Sequence, residues 1–177
     1  MLIDIIEEFD KYLKQKSLKF EAIIIGGAAL SILHIINRMT EDVDCIDPEI
    51  PVEIKNASAD FIRSNPQYGL NPEKFLNNGP ITIVKTLPDN WKKRTQLIFD
   101  GKALTFFTLG RIDLLKTKLD AMVHRGRDME DVIAMKPTNE ELEECLVWVL
   151  SADGGEHWPE MVNESFKELR GKINGDS

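Results

Sequence analysis

The sequence predicts an α/β protein of the α+β kind, with a mixed β-sheet flanked by helices and further helices after it. Three observations carry this expectation. An apolar repeat at helical spacing opens the chain, short β-branched runs punctuated by glycine and proline fill residues 20 to 107, and from Arg111 onward the periodic segments are helical.

Taken in order, Leu2, Ile5, Ile6, Phe9 and Leu13 recur at helical spacing, so residues 2 to 16 read as an amphipathic helix with Glu7, Glu8, Asp10 and Lys11 solvated. Phe20 to Ile25 is too short and too β-branched for a helix and reads as a strand. Gly26-Gly27 turns the chain into a buried apolar helix, Ala28 to Ile36. Residues 41 to 47 alternate polar and apolar positions as a half-buried strand does, with Pro48 and Pro51 closing it. A helix begins near Pro51 with Ile54, Ala57, Phe61 and Ile62 inward, and residues 65 to 80 read as a loop rich in proline, glycine and asparagine. Strands are expected at Ile81 to Thr86, Thr95 to Phe99 and Ala103 to Phe107, the last two joined by an Asp100-Gly101 turn. Helices follow at 111 to 125, Asp128 to Met135, Thr138 to Leu150 and Pro159 to Ile173; Thr138 with Glu141 forms a capping-box pattern. The expected division is an α/β core over 1–108 and a C-terminal helical region over 109–177 that completes a cleft.

Composition narrows the classes. The 177 residues, 42% hydrophobic and 29% charged, exclude disordered, collagen-like and disulfide-dense proteins. Twenty-two basic and thirty acidic side chains give a net charge of −8, which argues against coating nucleic acid through bulk charge. Cys45 and Cys145 match no CxxC pattern and sit in apolar segments, so a reducing, cytoplasmic setting is expected. With acids from Asp4 onward and no basic start or small-residue cleavage site, no signal peptide is expected, and the apolar stretch Ala22 to Ile36 is too short and too interrupted for a membrane span.

Chemistry concentrates in three places. Asp42 and Asp44 lie two apart on a predicted strand, so both carboxylates leave one face, roughly 7 Å apart along the chain at ~3.3 Å per residue, while Val43 and Cys45 face the other way. Solvated edge acids are one reading of that pair; a divalent cation, Mg²⁺ or Mn²⁺ by the hardness of its oxygens, is the other. Gly26-Gly27, at a strand-to-helix turn, lets backbone approach a phosphate closely, though neither the dinucleotide fingerprint nor the P-loop pattern is present. A phosphate-cradling turn followed by a metal-competent acid pair outlines a nucleoside triphosphate site. On the helix over 111–125, Asp113, Lys116, Thr117, Asp120 and His124 share a polar face, which makes Lys116 a surface residue, whereas Lys118 falls among Leu114, Leu115, Ala121 and Met122. A lysine in an apolar arc snorkels or finds an anion.

The run Ile25-Gly-Gly-Ala-Ala-Leu30 followed by Arg38-Met-Thr40-Glu-Asp42-Val-Asp44 resembles the signature of the polymerase-beta-like nucleotidyltransferase superfamily. Its Arg-x-Thr-x-Asp-x-Asp form is similar to the branch containing the abortive-infection type IV toxins and related small bacterial enzymes. The segment Leu115-Lys-Thr-Lys118-Leu-Asp-Ala with Arg125-Gly-Arg127-Asp128-Met-Glu-Asp131 resembles the same branch. The resemblance implies the nucleotidyltransferase fold and transfer of a nucleoside monophosphate from an NTP to an acceptor hydroxyl on RNA, protein or a small molecule. It implies Asp42 and Asp44 as ligands of Mg²⁺ or Mn²⁺, and Gly26, Gly27, Ser31, Arg38, Thr40 and Lys118 as nucleotide contacts. Lys118, Asp128 and Asp131 join the two acids as catalytic candidates, and an antitoxin-like partner is implied for a toxin. In one respect the sequence departs from the family pattern: the nearest third acid, Asp100, falls in a predicted turn, so Asp128 or Asp131 substitutes or catalysis is impaired. A non-catalytic module that binds nucleotide or a partner protein is the alternative.

Other features read plainly. Asp128 and Asp131, one turn apart, also suit the capping of a helix start, and Arg125 and Arg127 either pair with them or clamp phosphate. Trp91-Lys-Lys-Arg94 reads as a solvated loop or a local nucleic-acid contact. His34, His124 and His157 have no zinc spacing, and His34 reads as a hydrogen-bonded core residue.

Overall fold

A computed structural model describes residues 2–126 and 128–175; Arg127, read above as a partner of the nearby acids or of phosphate, lies outside the described residues. Two compact units divide between Gly110 and Arg111. The first runs α1 (Leu2–Gln15), β1 (Phe20–Ile25), α2 (Gly26–Ile32), β2 (Val43–Asp47), α3 (Val52–Ser64), β3 (Leu76–Asn77), β4 (Gln96–Asp100) and β5 (Leu104–Thr108). The second holds α4 (Arg111–Arg125), α5 (Met129–Ala134), α6 (Asn139–Ala152) and α7 (Trp158–Asn174).

The five strands form one sheet in the order β3-β2-β1-β5-β4. It is mixed: β1 is antiparallel to β2 and parallel to β5, β2 and β3 are parallel, and β4 and β5 are antiparallel. Strand alternation sends Ala22, Ile24, Val43, Cys45, Leu104 and Phe106 into a core that also takes the apolar stripes of α1 and α3. Phe9 anchors this layer, with its ring centroid 5.2 Å from Phe61 and 5.9 Å from Phe75 in an edge-on arrangement.

Asp10 departs from its expected solvated position. It is buried on α1, where Oδ1 accepts from the N–H groups of Ala103 and Leu104, each at 2.8 Å, and Oδ2 from that of Lys102 at 3.1 Å. A Cβ on Gly101 would overlap Oδ1, so glycine is required for the β4–β5 turn to wrap the carboxylate. Burial alone would raise the Asp10 pKa, but the N–H groups of Ala103, Lys102 and Leu104, with the charge of Lys102, outweigh it and hold the carboxyl below its ordinary value.

Residues 65–80, read as a loop, also contain a 3₁₀ turn (Pro66–Tyr68) and β3. Asn78 fixes this segment to the end of β2, donating to the carbonyls of Cys45 (2.9 Å) and Pro48 (3.3 Å) and accepting from the Ile50 N–H (2.8 Å). The strand expected at 81–86 is instead a 3₁₀ turn, Ile81–Lys85. Local bonds from Ile83 N–H to the Pro80 carbonyl and from Thr86 N–H to that of Ile83 satisfy the backbone without a neighbouring strand. Trp91–Arg94 is a similar turn, in which Lys92 meets Asp47 at 2.8 Å and Arg94 donates to the Asp89 carbonyl.

In the second unit the helix bounds follow the expected periodicity closely. The capping box is present: Thr138 Oγ1 accepts from the Glu141 N–H at 3.2 Å, and the Glu141 carboxylate accepts from the Thr138 N–H at 3.0 Å. Glu141 also meets Arg111 at 2.6 Å, the main reason its pKa lies below the usual carboxylate value. Lys116 is not a surface lysine. It is buried with Asp113 and Thr117, its ammonium 3.5 Å from Glu144, because the N-terminal half of the polar face of α4 is covered as well as its apolar face. Among the described residues no helix is long and apolar enough to cross a membrane.

Candidate functional site

The register of β1 against β2 builds the first cluster. Ile25, the last residue of β1, is paired with Asp44, so the next residue in the chain, Gly26, comes beneath the Asp44 carboxylate. Gly26 has φ +75°, and a Cβ there would lie 2.8 Å from Asp44 Oδ2. Both the backbone conformation and the space require glycine. Gly27 is confined for a different reason: its Cβ would meet Thr40 Cγ2 at 2.7 Å and an Arg38 guanidinium nitrogen at 3.5 Å. Gly26, Gly27, Arg38, Thr40 and Asp44 are thus brought together. Thr40 is buried, and its hydroxyl has no hydrogen-bond partner among the described residues. Buried hydroxyls are normally paired, so this one points to a polar partner supplied from outside the chain.

Gly26→Ala tests the fit of this turn. Alanine at a left-handed position costs about 1–2 kcal/mol, and its methyl must also displace the carboxylate. The melting temperature should fall in the Gly26→Ala protein, whereas Gly69→Ala, also left-handed at φ +65° but with open space around it, carries only the backbone cost.

Asp42 and Asp44 are both half-buried. Val43 and Cys45 sit in the core, so alternation places Asp44 on the opposite face of the sheet. Asp42 precedes β2 rather than lying within it, because the pairing of β2 with β1 and β3 begins at Val43. Asp100 is the last residue of β4, not part of the turn. It pairs with Thr105, which is opposite Glu21 on β1, whereas Asp44 is opposite Ile25. That separates the two acids by about 13 Å along β1 at ~3.3 Å per residue, and Asp100 does not join the pair. The residue beside Asp44 on β3 is Asn77. Among the described residues no three or more His, Cys, Asp or Glu side chains form a metal-holding group.

The second unit holds its own cluster. Lys118 is buried and its ammonium donates to Asp128 Oδ1 and Asp131 Oδ2, both at 2.7 Å. Arg125 donates to the other Asp128 oxygen at 3.0 Å. The misfit lysine therefore finds an anion rather than snorkelling, and the anion is a pair of carboxylates. Neither acid is a simple helix cap: Asp128 occupies the N-cap position of α5 without a side-chain capping bond, and Asp131 is buried against the lysine.

Ser31 lies on α2 about one turn beyond Gly27, half-buried. His34 is not a core residue. It follows α2, is exposed and has φ +57°, because the helix ends at Ile32, four residues earlier than the apolar stretch suggests. Cys45 and Cys145 are free and buried, and burial pushes both thiols up, Cys145 to about 12, so neither is a ready nucleophile.

Residues 1–145 match the model of a family described as nucleotidyltransferases of unknown function (DUF6036). No curated protein and no solved structure matches the chain. The matched span includes the glycine pair, Arg38, Thr40, both acids of the Asp-x-Asp pair, and Lys118 with Asp128 and Asp131. The mixed sheet with its flanking helices agrees with a nucleotidyltransferase-type α+β fold. The chain belongs to this nucleotidyltransferase family.

Proposed function

We propose that the protein transfers a nucleoside monophosphate from an NTP to an acceptor hydroxyl on RNA, protein or a small molecule. The observation that carries this reading is the Asp44 carboxylate seated over Gly26, with Thr40 and Arg38 over Gly27. Backbone that can admit a phosphate lies there beside a carboxylate of the kind that can hold a hard cation.

In the reaction the acceptor oxygen forms a bond to the α-phosphorus, the bond from that phosphorus to the bridging oxygen breaks, and pyrophosphate leaves with the electron pair. The acceptor proton passes to solvent. Gly26 and Gly27 admit the phosphates close to the backbone, and Arg38 contributes positive charge beside them. The Thr40 hydroxyl gains the partner it lacks. The donor set fits Mg²⁺ or Mn²⁺ arriving with the triphosphate, because Mg²⁺ ordinarily takes one or two carboxylates plus substrate phosphates rather than an all-protein cage. Asp42 and Asp44 would hold it, and when bound it neutralises phosphate charge. Ser31 is assigned to nucleotide binding. Lys118 is assigned to charge stabilisation, with Asp128 and Asp131 holding its ammonium; these three roles rest on the sequence resemblance.

Purified protein incubated with each labelled triphosphate, Mg²⁺ and total RNA or protein should transfer label, and Asp44→Ala should abolish transfer. Label transfer unchanged in Asp44→Ala removes the proposal. A second reading is favoured by one observation, the lack of a third carboxylate beside Asp44 among the described residues: a non-catalytic module that binds nucleotide or a partner protein. It predicts calorimetric NTP binding with no turnover and no dependence on Mg²⁺. The toxin-like form of the first reading, silenced by an antitoxin-like partner in the cytoplasm, predicts growth arrest on expression that Asp44→Ala relieves.

A further inference from the structure

We infer that a cavity of about 220 Å³ at the C-terminal end of α2 receives the base of the nucleotide, an inference that rests on the nucleotidyltransferase reading above. Ile3, Ile36 and Met39 give it aliphatic walls, and Ser31, Asn37 and Arg38 give it a polar rim. Aliphatic surface suits the faces of a flat heteroaromatic ring, while an amide and a hydroxyl suit its edges. Cavities for whole drug-sized ligands begin at roughly 300 Å³, so this one takes a base with part of its sugar and leaves the phosphates outside.

Arg38 connects the two places. It lines the cavity, and one of its guanidinium nitrogens lies 3.5 Å from the Cβ position of Gly27. Ser31 on the cavity rim lies four residues beyond Gly27 on α2, about 6 Å away at 1.5 Å per residue. An extended nucleoside triphosphate bridges such a distance, with its phosphates at the turn and its base at the far end of the helix. The Arg38 guanidinium stays with the phosphates at the glycine turn, so the edge of the base is left to the other polar side chains of the rim. Asn37 and Ser31 offer both donor and acceptor and can read that edge. The cavity therefore decides which triphosphate is used.

Calorimetric titration of the full chain in Mg²⁺ with the four NTPs and with inorganic tripolyphosphate tests this. Wild type should bind at least one NTP about tenfold or more tightly than tripolyphosphate, a difference that one well-read base can supply. Ile3→Trp, which fills the cavity, and Asn37→Ala, at an exposed position, should remove that preference while tripolyphosphate binding stays as in wild type. If Ile3→Trp does not fold, Asn37→Ala carries the test alone. Variants that keep the wild-type preference overturn the inference, as does a wild type that binds tripolyphosphate as tightly as all four NTPs. In both cases the phosphate site stands. A wild type that binds neither NTP nor tripolyphosphate overturns the nucleotidyltransferase reading together with this one.

Discussion

Lys118→Met is expected to destabilise the Arg111–Asn174 segment by about 3–5 kcal/mol, the range found when one partner of a buried ion pair is removed. The side chain of Lys118 is only 5% exposed and those of Asp128 and Asp131 only 10% and 4%, so the two carboxylates would lose their shared cation with little water to replace it. Arg125 is 63% exposed and reaches only Asp128, so it offsets little of the loss. Urea unfolding in a Trp91→Phe background reads this unit alone, because the remaining tryptophans, Trp148 and Trp158, lie on α6 and α7. Adding Asp128→Asn and Asp131→Asn to the methionine variant should recover much of the stability, since the cost lies in unpaired buried charge. A loss below about 1 kcal/mol, the range of surface pairs, would show that water reaches the cluster.

Asp10→Ala is expected to cost about 3 kcal/mol, since it removes charge-assisted hydrogen bonds to three backbone N–H groups whose individual worth is about 1.5–3 kcal/mol but whose losses overlap. Asp10→Asn keeps an acceptor and should lose less. The dependence on pH has a definite sign. The folded pKa of Asp10 is depressed, so its contribution is fully present above the unfolded value of about 3.9 and is lost as pH falls through the lower folded value. The gap in urea midpoint between wild type and Asp10→Asn should therefore be constant near neutrality and close in strong acid. A gap that widens on acidification would contradict the assignment.

These two residues also mark how far the sequence could be read. Lys118 was visible because a charge interrupted an apolar helical arc, a local violation of periodicity. Asp10 was not, because its partners are backbone N–H groups more than ninety residues away, and its place on the wheel of α1 looks like any solvated acid. Lys116 misled for a related reason: the first half of the polar face of α4 is buried, and periodicity says which residues share a face but not what covers it. The 81–86 run failed because β-branched residues signal a strand only where an edge awaits them, and here Pro80 closes a local turn first. In the candidate site the glycine pair and Asp44 were legible from spacing. The seating of Asp44 over Gly26 depends on a cross-strand register that spacing does not encode. The cavity walls were illegible, since Ile3 and Met39 are ordinary aliphatic residues brought together only by the turn after α2.

The central place of β1 in the sheet has a consequence for the chain as it is made. At about 5–20 residues per second, the ribosome releases Phe20–Ile25 well before Leu104–Thr108, the strand that must cover its second edge. In that interval the nascent chain offers a β-branched, nearly uncharged edge to any other unfinished strand. The same delay leaves Asp10 without its N–H partners until residues 102–104 emerge. A chain truncated before Leu104 is thus open along the middle of its sheet and should be a ward of chaperones rather than a smaller version of the same fold.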